Sequence, residues 1–189
     1  MILPDLSAYR VLIVPGLHGS GPQHWQTRWQ RRYPAFERVE QEDWSAPDLA
    51  TWSRRVQSVL QRSPQRTLLV AHSFGCLAGV HAIRDGRYGV AGALLVAPAD
   101  PEKFGIAARV GGVRLHCPSV VIGSTNDPWM TAERAAGWAR IWGSGFVNAG
   151  ELGHINAESG LGDWLQGLRQ LALLAELDVR TQPIQVASA

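Results

Sequence analysis

The sequence predicts an α/β domain, a compact and mostly parallel sheet with helices on both faces. Three observations predict it. Short apolar runs alternate with segments of helical periodicity through most of the 189 residues. Two of these runs, Ala91–Val96 and Ser119–Ile122, are apolar without a break, as strands are when both faces of a sheet are covered. Thr67–Ala71 leads directly to Ser73 and then to a helix-forming stretch, a strand–turn–helix layout. Strands separated by helices return by right-handed crossovers and pair in parallel.

Val11–Val14 reads as the first strand, and the Gly- and Pro-rich stretch Pro15–Pro22 ends it. A helix is expected near Gln23–Arg32. Arg38–Glu42 is a weaker, more polar strand, placed toward an edge of the sheet. Asp48 can cap a helix to about Arg62, whose Leu49, Trp52, Val56, Val59 and Leu60 fall on one stripe. Leu68–Ala71 is the next strand, and the helix after Ser73 extends to about Arg84, where Asp85-Gly86 stops it. After the two apolar strands come a helix from about Thr131 to Ile141, a short strand at Phe146–Asn148 and a last helix over Leu161–Leu177. Residues 1–177 thus read as a single domain without internal repeat or linker. Residues 178–189, ending Gln-Pro-Ile-Gln-Val-Ala-Ser-Ala, read as a loosely ordered tail.

Composition removes several function classes. With 46% hydrophobic and 18% charged residues the chain has the make-up of a water-soluble globular domain. A net charge of +2, spread over scattered arginines, argues against nucleic acid and against an anionic membrane as partners. No stretch approaches the roughly 18 apolar residues of a membrane span, and the N-terminus has no basic region leading into an apolar one. The expected location is the cytoplasm. Cys76 and Cys117 read as small buried apolar residues rather than a disulfide framework.

The chemistry concentrates where a parallel sheet gathers it, beyond the carboxyl ends of the strands. Ala71-His-Ser73-Phe-Gly75 has the form of a nucleophile elbow, with alanine where glycine is usual. Small residues are required because the serine sits on a sharp turn that brings strand and helix backbone close. Asp127 follows the strand Ser119–Ile122 in Gly123-Ser-Thr-Asn-Asp127-Pro, and His154 follows Phe146–Asn148 in Gly153-His154-Ile-Asn. Serine, acid, histidine is the chain order of the α/β-hydrolases. Asp100 also follows a strand end and is the rival acid; the bland reading of either aspartate is a solvated loop residue. His72 adjoins Ser73 but points elsewhere, which makes it a supporting residue. The first loop, Val14-Pro-Gly16-Leu17-His18-Gly19-Ser-Gly21, offers an oxyanion donor at Leu17, the partner donor being the amide of Phe74. That loop matches neither phosphate-binding glycine pattern, so no nucleotide, other cofactor or metal is expected.

Taken together, the Pro-Gly-x-x-Gly-Ser loop, His24-Trp25…Trp29, the His-Ser-x-Gly elbow, Ser-x-Asn-Asp-Pro and Gly-His-Ile-Asn resemble the small serine hydrolases related to retinoblastoma-binding protein 9 and the bacterial YdeN proteins. The resemblance spans nearly all of residues 10–175. It implies an α/β-hydrolase fold with a reduced sheet and Ser73, Asp127 and His154 as a catalytic triad. The chain has no Leu-x-Cys-x-Glu segment, so the partner behind the first name does not carry over.

Only about twenty residues separate Val96 from the next strand, too few for the cap domain many α/β-hydrolases insert there. The site is expected to be shallow, with Trp129, Phe104, Trp44, Leu17 and Phe74 as apolar walls. The leading function is hydrolysis of small carboxylic esters through an acyl-enzyme on Ser73; thioester and amide are not separated from ester by sequence. The alternative is a binding or regulatory protein that keeps the fold without the activity.

Overall fold

The computed structural model describes residues 6–181. The first strand, β1 (Arg10–Val14), is flanked on one side by β2 (Phe36–Arg38) and on the other by β3 (Thr67–His72). Beyond β3 lie β4 (Val90–Val96), β5 (Ser119–Gly123) and β6 (Gly145–Asn148), giving six strands in the order β2-β1-β3-β4-β5-β6. Every pairing is parallel. The sheet is therefore the one expected, with all strands rather than most running the same way.

Alternation along the central strands divides the core in two. Leu12, Val14, Leu69, Ala71, Ala93 and Leu95 face one side, where they meet α2 (Leu49–Leu60), α3 (Phe74–Ile83) and α5 (Ala132–Trp142). Val11, Ile13, Leu68, Val70, Leu94 and Val96 face the other, against α1 (Trp25–Arg32) and α6 (Leu165–Thr181). Both faces are covered, which is why these strands read as unbroken apolar runs. Each fully buried leucine or valine there contributes about 1.5–3 kcal/mol relative to exposure.

Caps begin and end several helices as their sequences suggest. Asp48 accepts from the Thr51 amide at the start of α2, and Thr131 from the Arg134 amide at the start of α5. Gly143, in the left-handed region at φ 73°, closes α5. Four expectations need correction. The edge strand lies at Phe36–Arg38 rather than Arg38–Glu42, because pairing starts where Phe36 is buried against Tyr33, in register with Val11. A one-turn helix, α4 (Ala107–Val110), was not expected at all. The last helix begins at Leu165 rather than Leu161, since Gly162 and Trp164 both take positive φ. That helix also continues past Leu177. Asp178 is buried and forms an ion pair with Arg66, while Tyr9 donates to the same carboxylate at 3.1 Å. The loosely ordered tail therefore does not begin at residue 178; its remainder from 182 lies outside the described residues.

Between β4 and β5, residues 97–118 hold only a turn at 101–105 and α4, so there is no cap domain. Among the described residues no helix is long and apolar enough to cross a membrane.

Candidate active site

Five loops meet at the carboxyl edge of the sheet, after β1, β3, β4, β5 and β6. At the end of β3 the chain turns sharply into α3, and Ser73 sits on that turn at φ 53°, ψ −126°. A serine there is strained by about 1–3 kcal/mol, held by the packing around it. Its amide donates to Val96 O at 3.1 Å, and the Cys76 amide returns to Ser73 O at 3.0 Å. Gly75 has no alternative: a Cβ there would lie 2.4 Å from the carbonyl oxygens of both Val14 and Pro15. The start of α3 can approach the end of β1 only because that side chain is missing. Alanine at position 71 is accommodated beside Gly79 of α3, where even a Cβ added to that glycine would lie 3.8 Å from the Ala71 Cβ.

Ser73, His154 and Asp127 form one hydrogen-bonded line. His154 Nε2 lies 2.9 Å from Ser73 Oγ, and His154 Nδ1 lies 2.9 Å from Asp127 Oδ2. A carboxylate can only accept, so Nδ1 carries the imidazole proton and Nε2 is free to take one from the serine. The Asp127 side chain is buried and its Oδ1 also accepts from the Trp129 amide at 2.9 Å.

Polar stitching holds the histidine loop to the acid loop. Asn126 Oδ1 accepts from the Gly153 amide at 2.7 Å. Ser124 Oγ accepts from the Leu152 amide and donates to Gly150 O, both at 2.9 Å. From the opposite side, Trp25 Nε1 donates to Ile155 O at 2.8 Å. His72 Nε2 lies 2.9 Å from the carbonyl oxygen of His154 itself, so Nε2 carries the proton of that ring. Burial, with the charges of His24 and His154 beside it, holds the His72 pKa well below the ordinary 6.5, and the ring stays neutral. His72 thus supports the site, as its position suggested. The parts played by Ser124, Asn126 and Trp25 were not read from sequence; the spacing Ser-x-Asn-Asp-Pro was the available signal.

The amides of Leu17 and Phe74 donate to no carbonyl in the turns around them, whereas their neighbours are used: His18 N to Trp44 O and Gly19 N to Gly16 O. Gly16 lets the first loop lie against Ser73, since a Cβ there would fall 2.6 Å from Ser73 Cβ. Above Ser73 opens a cavity of about 460 Å³ whose walls include Leu17, His24, Phe104, Trp129 and His154.

Two expected wall residues stand elsewhere. Trp44 packs edge-on against Trp52 and beneath Gly19, where it braces the first loop without lining the cavity. Phe74 is fully buried between Trp52 and Phe104 and does not line the cavity. Trp129 and Phe104 do line the cavity, and Trp129 is 59% exposed at its mouth. Asp100 is not the solvated residue envisaged. It is buried, and its two oxygens bind Arg134 Nη2 at 2.8 Å and Nε at 2.9 Å. That carboxylate is committed to a helix side chain and makes no hydrogen bond to a histidine among the described residues. Among the described residues no group of His, Cys, Asp and Glu could hold a metal ion.

The all-parallel six-stranded sheet and the seryl turn closing β3 define an α/β-hydrolase-fold protein. The chain belongs to the serine hydrolase family, which matches residues 11–173. It is 41% identical to a Pectobacterium atrosepticum protein described as a YdeN-like hydrolase, with a TM-score of 0.87 over 91% of this chain and 93% of that one. The Bacillus subtilis ydeN gene product superposes with a TM-score of 0.66 at 18% identity, covering 91% of this chain and 97% of its own. A Bacillus cereus carboxylesterase gives 0.59 at 12% identity over 92% and 90%. At the two lower identities the likeness is one of fold. No curated protein matches the chain. The kinship to YdeN-type hydrolases suggested by the motifs is borne out, and the protein is a hydrolase.

Proposed function

We propose that the protein hydrolyses small carboxylic esters through an acyl-enzyme on Ser73, with His154 as general base and Asp127 as the orienting acid. The observation that supports this reading most is the unbroken line from Asp127 through His154 to the strained Ser73, with the proton on Nδ1. His154 Nε2 accepts the hydroxyl proton as Ser73 Oγ bonds to the acyl carbon, and the carbonyl oxygen becomes an oxyanion. The amides of Leu17 and Phe74 bind that oxyanion; losing one such donor typically costs about 3 kcal/mol of transition-state stabilisation. Collapse of the intermediate breaks the bond to the leaving oxygen, which takes the proton from His154. Water then gives a proton to the same histidine, attacks the acyl-enzyme and releases the acid, returning Ser73 to its hydroxyl form. The substrate occupies the cavity between Trp129 and Phe104, and the chemistry needs no cofactor.

The test is intact-mass measurement after brief exposure to a fluorophosphonate, with hydrolysis of short-chain p-nitrophenyl esters measured alongside. One adduct is expected on the wild type, with none and no hydrolysis for Ser73→Ala. Equal labelling of the variant would remove Ser73 as nucleophile. No labelling of the wild type would favour a non-catalytic binding protein on the same fold.

A further inference from the structure

His24 takes no part in the chemistry described for Ser73, yet it lines the same cavity and is only 4% exposed. It is the N-cap of α1: its Nδ1 accepts from the Gln26 amide at 3.2 Å. A backbone amide only donates, so Nδ1 must be the acceptor and the neutral ring keeps its proton on Nε2. Among the described residues two buried side-chain polar atoms have no hydrogen-bond partner, His24 Nε2 and Gln41 Nε2, and Gln41 is remote from this cavity. Buried polar groups are almost always paired, so an unpaired, solvent-shielded donor on a ring that lines a substrate cavity calls for a partner.

The ring cannot escape by turning over, because that would exchange Nδ1 for carbon and break the cap. It is also wedged, edge-on to His72 at 4.7 Å and tilted against Trp25 at 5.3 Å between ring centres. His72 in turn meets His154 at 4.9 Å, which puts the donor on the same wall as the base. Burial, with the charges of Arg38 and His154, lowers the His24 pKa to about 3, so the ring is an uncharged donor near neutrality. Of the charged residues lining the cavity, Asp100 is bound to Arg134 and Lys103 to Trp129 O at 2.6 Å, while Glu158 is exposed at the surface.

We propose that His24 Nε2–H is a specificity-determining donor that binds an uncharged oxygen of the substrate outside the scissile ester group. The preferred substrates are therefore oxo- or hydroxy-substituted esters rather than plain hydrocarbon ones. This rests on the hydrolase reading of the same site. A site built to pair such an oxygen discriminates against the analogue that lacks it, here by about tenfold or more.

The experiment compares kcat/KM for ethyl butyrate with ethyl 3-oxobutyrate, ethyl 3-hydroxybutyrate and 2-hydroxyethyl butyrate. The proteins are the wild type, His24→Asn and His24→Ser, the variants keeping an acceptor for the cap. Taking each ratio between proteins cancels the intrinsic reactivity of the esters. At least one oxygenated-to-plain ratio should fall about tenfold in both variants; unchanged ratios in folded variants overturn the assignment. A second readout does not need the variants to fold. In 15N-histidine-labelled Ser73→Ala protein, the protonated Nε2 resonance of His24 should move with an oxygenated ester and not with ethyl butyrate. No movement overturns the proposal. Fluorophosphonate labelling of wild-type Ser73 tells the two failures apart: labelling with no ratio change removes only the role of His24, whereas no labelling removes the hydrolase reading as well.

Discussion

Ser73 and His154 are held in place by different physics. Ser73 is positioned by apolar packing: the fully buried strand β3, the buried helix α3 and the missing side chain at Gly75 leave the turn no other path. His154 lies in a loop whose own strand, β6, is half-exposed, and it is positioned by hydrogen bonds from Asn126, Ser124, Trp25 and His72. Packing fixes a backbone conformation even where it is strained. Hydrogen bonds fix the orientation and tautomer of a ring. The expected consequence is that damage to the first region is read in stability and damage to the second in turnover.

The sharpest contrast lies between the two aspartates. Asp127→Asn should lower turnover by up to about ten-thousandfold, by presenting His154 in the wrong tautomer, while the melting temperature stays near wild type. Asp100→Asn, which weakens the buried pair with Arg134, should instead lower the melting temperature and keep far more of the turnover. If Asp100→Asn is the inactive protein and Asp127→Asn the active one, the proposed acid is wrong. On the packing side, Gly75→Ala drives a methyl against two backbone oxygens that cannot yield, and should cost about 3 kcal/mol or more in urea unfolding. A near-neutral Gly75→Ala would mean that the turn is not locked by close approach.

The two histidines between these regions add a dependence on pH. His24 and His72 both have folded pKa values below the ordinary 6.5. As pH falls below 6.5 the unfolded chain binds protons that the folded protein refuses, so stability drops as pH falls. For His24 the loss is about 1.4 kcal/mol per pH unit and levels off near pH 3, where the folded ring also protonates; His72 adds a loss of the same sign. Between pH 6 and 4.5 the carboxylates with lowered pKa values add little, because their unfolded forms are still ionised. The slope in that window should be shallower in His24→Asn, with His72 and His81, whose pKa is also lowered, keeping the rest; an unchanged slope would show that His24 does not stay neutral. The smallest expected effect concerns the strained turn itself. Ser73→Gly should be more stable than Ser73→Ala by about 1 kcal/mol, because glycine takes positive φ without the cost a side chain incurs. Equal stabilities would mean that the turn stores no strain.

Much of this was legible in the sequence because its signals were local. Unbroken apolar runs gave the central strands, and turn-rich segments just past them gave Ser73, Asp127 and His154. What escaped depended on distant partners or on very short elements. Asp178 looked like the start of a tail because its partner Arg66 is 112 residues away. Phe36–Arg38 is a three-residue edge strand and α4 a single turn, both too short to show a period. Trp44 was assigned to a wall because composition does not tell which side of a loop an indole supports. The unpaired proton of His24 follows from the Gln26 cap and the packing of three rings, neither of which spacing reveals.

The segment from Ala97 to Pro118, too short to fold into a cap, has a consequence for the time course of turnover. With no lid domain to open or close, product departure has no large conformational gate, and such gates set the turnover of many enzymes. In the proposed mechanism the rate of a full cycle then falls to the two acyl-transfer steps. The proposed acyl-enzyme on Ser73 would stand in an open cavity, where small alcohols reach it as readily as water does. Added methanol should therefore divert the acyl group to the methyl ester in proportion to its concentration.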